Sequence, residues 1–376
     1  MGLKKNLNKD QSEKVEKAER YFDYTLIFIV IFLVCFGLIM IYSTSSYSAT
    51  LDYGDSFYWM KRQAGFALMG FLAMIAASRI DYHIYAKFAF LAYIVMNILQ
   101  IAVLFIGKEV NGQRRWIYIG PIGIQPSEMA KMVLIVFLAY VASRSVKKLR
   151  TWKGILKVFL LSIPLVGFVA VANLSTSIVL LGISFIIVFV ASNRYWPFGA
   201  VVIGAVAMMG AFLALASYRV GRITAWLNVE TDPNAYQTRQ SLYAIGSGGI
   251  FGKGLGQSIQ KLDYLPEAHN DMIFAIISEE LGLFGAISIL LLFIILIWRC
   301  MIVANNAPDL FGALIVTGIM AQIGLQVIIN VAVATNSIPN TGITLPFISY
   351  GGTSVVFLLF EIGMVLSVSR QIKFQR

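Results

Sequence analysis

Residues 24–42 read YTLIFIVIFLVCFGLIMIY, nineteen consecutive positions without a charged side chain. A helix of that length rises about 28 Å, close to the thickness of a bilayer's hydrocarbon core. Blocks of the same kind recur along the chain, centred near residues 33, 70, 97, 136, 164, 183, 207, 285, 322 and 357. Apolar residues make up 58% of the 376, charged ones only 13%, and the mean hydropathy is +0.77. The apolar residues come in blocks rather than with helical or strand periodicity. The expected fold is therefore an all-α polytopic membrane protein of about ten transmembrane helices.

An even number of spans returns both ends to one side. Residues 1–20 hold six Lys/Arg against four acids, and the stretch from Arg144 to Lys157 holds six Lys/Arg and no acid. Basic loops stay in the cytoplasm, so both termini are expected there, and Arg370, Lys373 and Arg376 agree. The small residues STSSYSA (43–49) after the first run imitate a signal-peptide boundary. The apolar run is long for a signal peptide's core, and an uncleaved anchor is expected.

The net charge of +11 raises the question of nucleic acid. The basic excess sits beside helix ends on the inferred cytoplasmic side, where topology and anionic membrane lipid account for it, so no nucleic acid partner is expected. Cys35 and Cys300 fall in or beside spans, and neither a disulfide nor a thiolate metal site is expected. The layout read from this pattern is a charged cytoplasmic segment over 1–20, one transmembrane domain over 21–370 and a cytoplasmic tail over 371–376. No internal repeat suggests inverted transporter halves.

Most connections are short, with one exception. The segment 218–271, expected to be extracellular, carries five Lys/Arg (Arg219, Arg222, Arg239, Lys253, Lys261) and five acids (Glu230, Asp232, Asp263, Glu267, Asp271). A long polar loop in so lean a chain points to function. A shorter loop on the same side, GKEVNGQRRWIYIGPIGIQPSE (107–128), adds Arg114, Arg115 and Trp116. The glycine-rich AIGSGGIFGKGLGQS (244–258) fits neither G-x-x-x-x-G-K-[ST] nor G-x-G-x-x-G and faces away from cytoplasmic nucleotide. It reads as a set of positive-φ turns, or as backbone N–H groups that approach a phosphate.

A charge within a span costs at least about 3 kcal/mol unless paired or hydrated. Lys131, Glu279, Glu280 and Glu361 are such charges. Glu128 and Lys131, three residues apart, share a helix face and can pair. Along a regular helix Glu279 and Glu280 would lie about 12 to 14 Å below Asp271 and on other faces. They, with Glu361, either bond neighbouring helices or line a cavity. Asp271 stands where the long loop meets the eighth span, within reach of both water and a membrane-bound substrate. It is either a helix cap or a reactive carboxylate. His269 is a general base or a loop residue. GITLPFISYGGTS (342–354) is either the irregular start of the last helix or backbone lining a cavity.

Taken together, NGQRRWI, QPSEMAK, the run from Tyr236 to Gly282 that ends YLPEAHNDMIFAIISEELG, and NTGITLPFISYGGTS resemble the SEDS family of bacterial cell-wall polymerases. The motifs span Asn111 to Ser354 in the family's order. MIYSTSSYSA, FYWMKRQ, SRIDY and YRVGRITAWLNVETDP resemble the FtsW and SpoVE branch more than the RodA branch. The resemblance implies a peptidoglycan glycosyltransferase that polymerises lipid II at the outer face of the cytoplasmic membrane. It places the family's essential aspartate on Asp271, its membrane-cavity Glu and Lys on Glu128 and Lys131, and its R-R-W-I element on Arg114, Arg115 and Trp116. Glu267 and His269 fall in the same motif as Asp271 and are expected to contact substrate. The implied partner is a class B penicillin-binding protein, with division proteins beyond it. Where many members carry an acid followed by a glycine two residues on, this chain has ANLSTS, with Asn173 and Ser175 at those positions.

The implied chemistry suits the residues. An acceptor hydroxyl that displaces pyrophosphate needs one base, whereas a sugar hydrolase needs a second carboxyl group to protonate its leaving oxygen. Pyrophosphate needs cations instead, from Lys131, Arg114, Arg115 or another loop Arg, with Mg²⁺ or Mn²⁺ as a possible cofactor whose ligands are not legible. The rival expectation is a lipid II flippase. The long charged segment on one face only favours the enzyme.

Overall fold

The computed structural model describes residues 22–110, 113–120, 122–192 and 224–372, with a few single positions between 192 and 224. Its helices are α1 (Tyr24–Tyr53), α2 (Tyr58–Arg79), α3 (His83–Ile106), α4 (Pro126–Arg144), α5 (Trp152–Leu160), α6 (Ile163–Ala172), α7 (Leu174–Ala191), α8 (Tyr236–Gly248), α9 (Ile273–Asn305), α10 (Leu310–Ala334) and α11 (Thr353–Ser369). Six of them, α1, α3, α4, α7, α9 and α10, are long and apolar enough to cross a membrane, and α5 with α6, bent by 40°, meets the same criterion only as a pair. The fold is that of an all-α polytopic membrane protein. Helices cover nine of the ten centres read from the sequence. The tenth, near residue 207, lies outside the described residues, as do the charged segments 1–20 and 373–376 and the arginines at 219 and 222.

Polar side chains fasten the helices at one end of the bundle. Asp23 caps α1 through Leu26 N and receives the Arg299 guanidinium of α9 at 2.7 Å, while itself fully buried. Asp309 caps α10 through Gly312 N and accepts from the buried Tyr82 hydroxyl at 2.6 Å, joining the start of α3 to α10. Between these ends apolar side chains fill one continuous core. α2 and α11 lie against each other closely enough that a Cβ added at Gly363 would sit 2.5 Å from Met74 O.

The opposite end departs most from expectation. The shorter loop folds into a three-stranded antiparallel sheet, β1 (Lys108–Val110), β2 (Gln113–Ile119) and β3 (Ile122–Ile124), the only sheet among the described residues. The long polar segment contains α8. The helix expected from Asp271 through Glu280 forms only from Ile273, with Asp271 and Met272 in the turn ahead of it. α9 starts at Ile273 and breaks at Gly282, whose φ of 68° and ψ of −169° are outside the helical range. From Leu283 to Asn305 the helix rises about 34 Å, a full span without the residues before the break.

The glycine-rich loop is spliced into this break. Lys253 N and Gly254 N donate to the carbonyls of Glu279 and Glu280, at the end of the first half. Leu283 N and Phe284 N, opening the second half, donate to Gly249 O and Ile250 O. These donors and acceptors would otherwise be orphaned helix ends. Of the two readings of this stretch, the structure shows turns: Gly249, Gly252, Gly254 and Gly256 all have positive φ, and the Lys253 and Gly254 amides are taken by protein carbonyls.

A Cβ at Gly282 would fall 2.3 Å from Gly252 N and 2.4 Å from Ile250 O, on a backbone that L residues rarely adopt. Gly282→Ala therefore costs at least about 1–3 kcal/mol and lowers the thermal midpoint of the purified protein in detergent. Gly65→Ala, where a Cβ would meet nothing within 4 Å, leaves that midpoint unchanged or raised.

Candidate active site

Asp271 ends a tight turn that begins at Glu267, where φ is +55°. Asn270 N and Met272 N both donate to Glu267 O, and the Asn270 amide donates to the Glu267 carboxylate. The turn delivers Asp271 just ahead of α9 with Met272 at the N-cap position, so the carboxylate does not occupy the capping site. Asp271 is 9% exposed. Its carbonyl accepts from Asn330 Nδ2 at 2.7 Å, and the same nitrogen donates to Ile343 O at 2.8 Å. Its Oδ1 lies 3.5 Å from Gln237 Nε2, and Gln237 Oε1 accepts from Asn340 at 2.7 Å. Beside the other oxygen stands Gly342, where an added Cβ would lie 3.5 Å from Asp271 Oδ2. Any larger residue there would crowd the approach to the carboxylate.

His269 is held by aromatic rings. Trp59 stacks on it at 5.2 Å between centroids, and Tyr350 meets it edge-on at 5.8 Å. Tyr350 N also donates to His269 O. Enclosure pushes the imidazole below its usual titration range against the opposing pull of Glu267, so the ring is neutral near pH 7. Glu267 is exposed and serves its own turn.

The second predicted group assembles at the start of α4. Pro126 occupies the first turn, and Glu128 sits among the free N–H groups there, a favourable place for a carboxylate. Lys131 donates to Glu128 at 2.9 Å, as the three-residue spacing leads one to expect, and the Ser354 hydroxyl donates to the same oxygen. Lys131 is 1% exposed, its ammonium set against Glu128. One segment links this group to Asp271. The run 342–354 starts at the Asn330 amide through Ile343 O and ends at Glu128 through Ser354. Gln63 of α2 holds its middle, bonding Ser349 O, Gly351 N and Gly352 N. GITLPFISYGGTS is thus a broken-backbone strut between the two polar groups.

The other charges divide differently. Glu279 pairs with Lys253 at 2.6 Å, and Glu280 with Lys261 at 2.9 Å and with Ser43 of α1. Both glutamates pin the long segment onto α1 and α9, and neither joins Asp271. Glu361 bonds Gln322 across the α10–α11 contact at 2.8 Å. Of the hairpin residues, Arg114 is exposed, with Glu109 3.7 Å away, and Trp116 stands opposite Lys108 in the ladder. Asn173 takes an N-cap position, its Oδ1 accepting from Thr176 N at 3.2 Å, so α7 keeps a cap without the acid's charge.

Sequence reasoning missed Gln237, Asn330, Asn340 and Gln63. Asn330 had a usable signal. Gln322, Gln326 and Asn330 recur at four-residue spacing in an apolar run, which lines amides along one helix face. The others lie in loops or at a helix end, where polarity is unremarkable.

The fold and this site define a polytopic helical membrane protein with an aspartate at one end of the bundle, its carboxylate 3.5 Å from the Gln237 amide and its backbone carbonyl held by Asn330. The family model for the cell cycle proteins FtsW, RodA and SpoVE matches residues 24–374. The chain belongs to that family. It is 42% identical to "Stage V sporulation protein E" of Bacillus subtilis over 363 residues, 93% of this chain and 97% of that one. It is 36% identical to the "Probable peptidoglycan glycosyltransferase FtsW" of Geobacter metallireducens over 96% of this chain and 97% of that one. Among solved structures it resembles a peptidoglycan synthase complex that coordinates polymerization and crosslinking, with a TM-score of 0.77, 28% identity and coverage of 94% and 99%. It also resembles the rod shape determining protein RodA of Thermus thermophilus, with a TM-score of 0.71, 28% identity and coverage of 94% and 98%.

Replacing Asn330 with leucine leaves two buried carbonyls without their donor, at about 1–3 kcal/mol each. Hydrogen–deuterium exchange should rise selectively in residues 265–272 and 342–347 of the Asn330→Leu protein, with little change in the halves of α9 and α10 remote from the site.

Proposed function

We propose that this site polymerises lipid II into glycan strands at the outer face of the bacterial cytoplasmic membrane, with Asp271 as its base. Membership of the family and relatives named as peptidoglycan glycosyltransferases support an enzyme that transfers sugar. The observation that carries the assignment to Asp271 is its placement. Asp271 sits on a turn whose carbonyl Asn330 holds, with Oδ1 beside the Gln237 amide and Oδ2 beside Gly342.

In the step so proposed, the acceptor's GlcNAc 4-hydroxyl attacks the donor's MurNAc C1. A C–O bond forms at C1 as the C1–O bond to pyrophosphate breaks on the opposite face. Asp271 takes the hydroxyl proton, and undecaprenyl pyrophosphate leaves with the bonding electrons. One carboxylate suffices, because pyrophosphate departs without a proton, and the nearby Glu267 carboxylate is occupied by Asn270. Gln237 and Asn340 offer amides to sugar hydroxyls. Glu128 and Lys131, buried as a pair, brace the far end of the strut, and Arg114 is an exposed cation among the residues read for pyrophosphate. Mg²⁺ or Mn²⁺ carried on the substrate's pyrophosphate would need only one or two carboxylates from the chain, and no group of three His, Cys, Asp or Glu side chains converges among the described residues. The reaction as written rests on the chain's own groups.

The loop-rich end, with residues 107–125, 224–271 and 335–352, faces outward in this reading, and both termini lie in the cytoplasm across ten spans. Partners follow from the product. Polymerised strands require crosslinking, so a class B penicillin-binding protein is proposed beside the chain, in line with the synthase complex it resembles. The FtsW and SpoVE names among its relatives favour septal wall synthesis over elongation.

Purified Asp271→Asn protein with its transpeptidase should make glycan from lipid II at least about 100-fold more slowly than wild type. Near-normal chains would remove Asp271 from the chemistry. Headgroup translocation in liposomes without any polymer would replace the enzyme by a flippase.

A further inference from the structure

Phe251, in the glycine-rich loop, is the most exposed large apolar side chain among the described residues, at 82%. Ile250 beside it and Leu255 further along the loop are exposed too. The reaction just described uses none of them. Their depth relative to the bilayer decides what they touch, and two helices tied together at both ends supply a ruler.

At one end Asp23, ahead of α1, pairs with Arg299 of α9 at 2.7 Å, and at the other Ser43 of α1 donates to Glu280 of α9 at 2.7 Å. α1 rises about 30 Å from Asp23 to Ser43, the thickness of a hydrocarbon layer. Its charge-free run 24–42 fills that interval and gives way to STSSYSA at Ser43. On α9 no charged residue lies between Glu280 and Arg299. Ser43 and Glu280 therefore stand at one edge of the hydrocarbon, and Asp23 and Arg299 at the other. Leu283 and Phe284 fall between the two edges, about 24 and 22 Å along the helix from Arg299. Both are exposed, as is Ile287 one turn on. The loop is spliced onto these same residues: Leu283 N donates to Gly249 O at 2.9 Å and Phe284 N to Ile250 O at 3.1 Å. Those bonds hold Ile250 at the depth of Phe284, and Phe251 is the next residue.

The loop has two faces. Ser258 and Lys253 donate to Glu279, and Lys261 donates to Glu280, so its polar groups turn inward while Ile250, Phe251 and Leu255 are left outside. Apolar surface that continues the exposed flank of a span, at a depth that water does not reach, is matched by lipid tails. A partner helix is the other occupant such a face could take. Close helix contact relies on small or polar residues, and Ile250, Phe251, Leu255, Leu283, Phe284 and Ile287 include none.

We propose that Ile250, Phe251 and Leu255 form a wedge inserted among the acyl chains of the leaflet at the loop-rich end. The segment 218–271, expected from its charges to be extracellular, is then in part a lipid anchor. Lipid clamps the loop from outside as Glu279 and Glu280 clamp it from within. The wedge is independent of the reaction assigned to Asp271.

The test uses the full chain in phospholipid nanodiscs that contain a lipid with a diazirine on its acyl chain, and in a second set with a water-soluble diazirine instead. After illumination, peptide mass spectrometry should find acyl-chain adducts on residues 249–255 at a yield comparable to that on Phe88 and Phe90, exposed on α3, with the aqueous reagent giving several-fold fewer. Phe251→Ser should lower the acyl-chain yield on this peptide several-fold, and Phe251→Leu should restore it. Should Phe251→Ser fail to fold, Leu255→Ser takes its place, with the same fall expected. With a class B transpeptidase in the same disc the adducts should persist. Stronger labelling by the aqueous reagent than by the lipid would overturn the wedge, as would an unchanged acyl-chain yield in the serine variant. Loss of the adducts when the transpeptidase is added would assign the patch to a protein partner and overturn it equally.

Discussion

A single side-chain amide, Asn330 Nδ2, holds together what the sequence keeps far apart. It gives one hydrogen to the carbonyl of Asp271 and the other to Ile343, so the turn before α9 and the strut before α11 both hang from α10. Neither partner is in regular secondary structure, and each carbonyl is removed from water. An unmet buried acceptor is costly, and an amide that answers two at once fixes the spacing of both segments. The rest of the site inherits that geometry. Gly342 faces the carboxylate because Ile343 is pinned, and Ser354 reaches Glu128 because Gln63 holds the strut along its length.

The charged residues obey a similar economy of placement. Three of the four acids from Glu267 to Glu280 are tied to partners that shape the loops: Glu267 to its turn, Glu279 to Lys253, Glu280 to Lys261. Breaking one partner from a buried pair costs about 3–5 kcal/mol, and such pairs are better at fixing one arrangement than at adding stability. Here the arrangement fixed is the seating of the loop on α1 and α9. At Asp271 the backbone carbonyl meets the Asn330 amide and a carboxylate oxygen lies beside the Gln237 amide.

Much of this was legible in the residues. Nine of the ten apolar blocks read from the sequence coincide with helices, because hydrocarbon thickness imposes a length that a sequence must satisfy. The Glu128–Lys131 pair followed from helical spacing alone. The break at Gly282 did not follow. Glycine is common inside membrane helices, and only the backbone of residues 249–254, thirty positions earlier, gives this one its conformation. For the same reason Glu279 and Glu280 looked like charges in the membrane. The three-stranded sheet escaped notice because its strands are short and sit in a loop read for its charges. Gln237 and Asn340 were invisible for want of any pattern, being ordinary polar residues that become neighbours only through the fold.

The splice at the α9 break also dictates an order of assembly. The glycine-rich loop leaves the ribosome before either half of the helix, and its Gly249 and Ile250 carbonyls have no donors until Leu283 and Phe284 have been made. The run from Ile273 to Asn305, charged only at Glu279, Glu280 and Arg299, then reaches the insertion machinery as one candidate span. The loop must then claim Gly282 and draw the first half aside. Biogenesis of this end of the molecule therefore finishes after its spans are in the bilayer, and a nascent chain stalled before Phe284 would carry every motif of the reaction turn yet none of its shape.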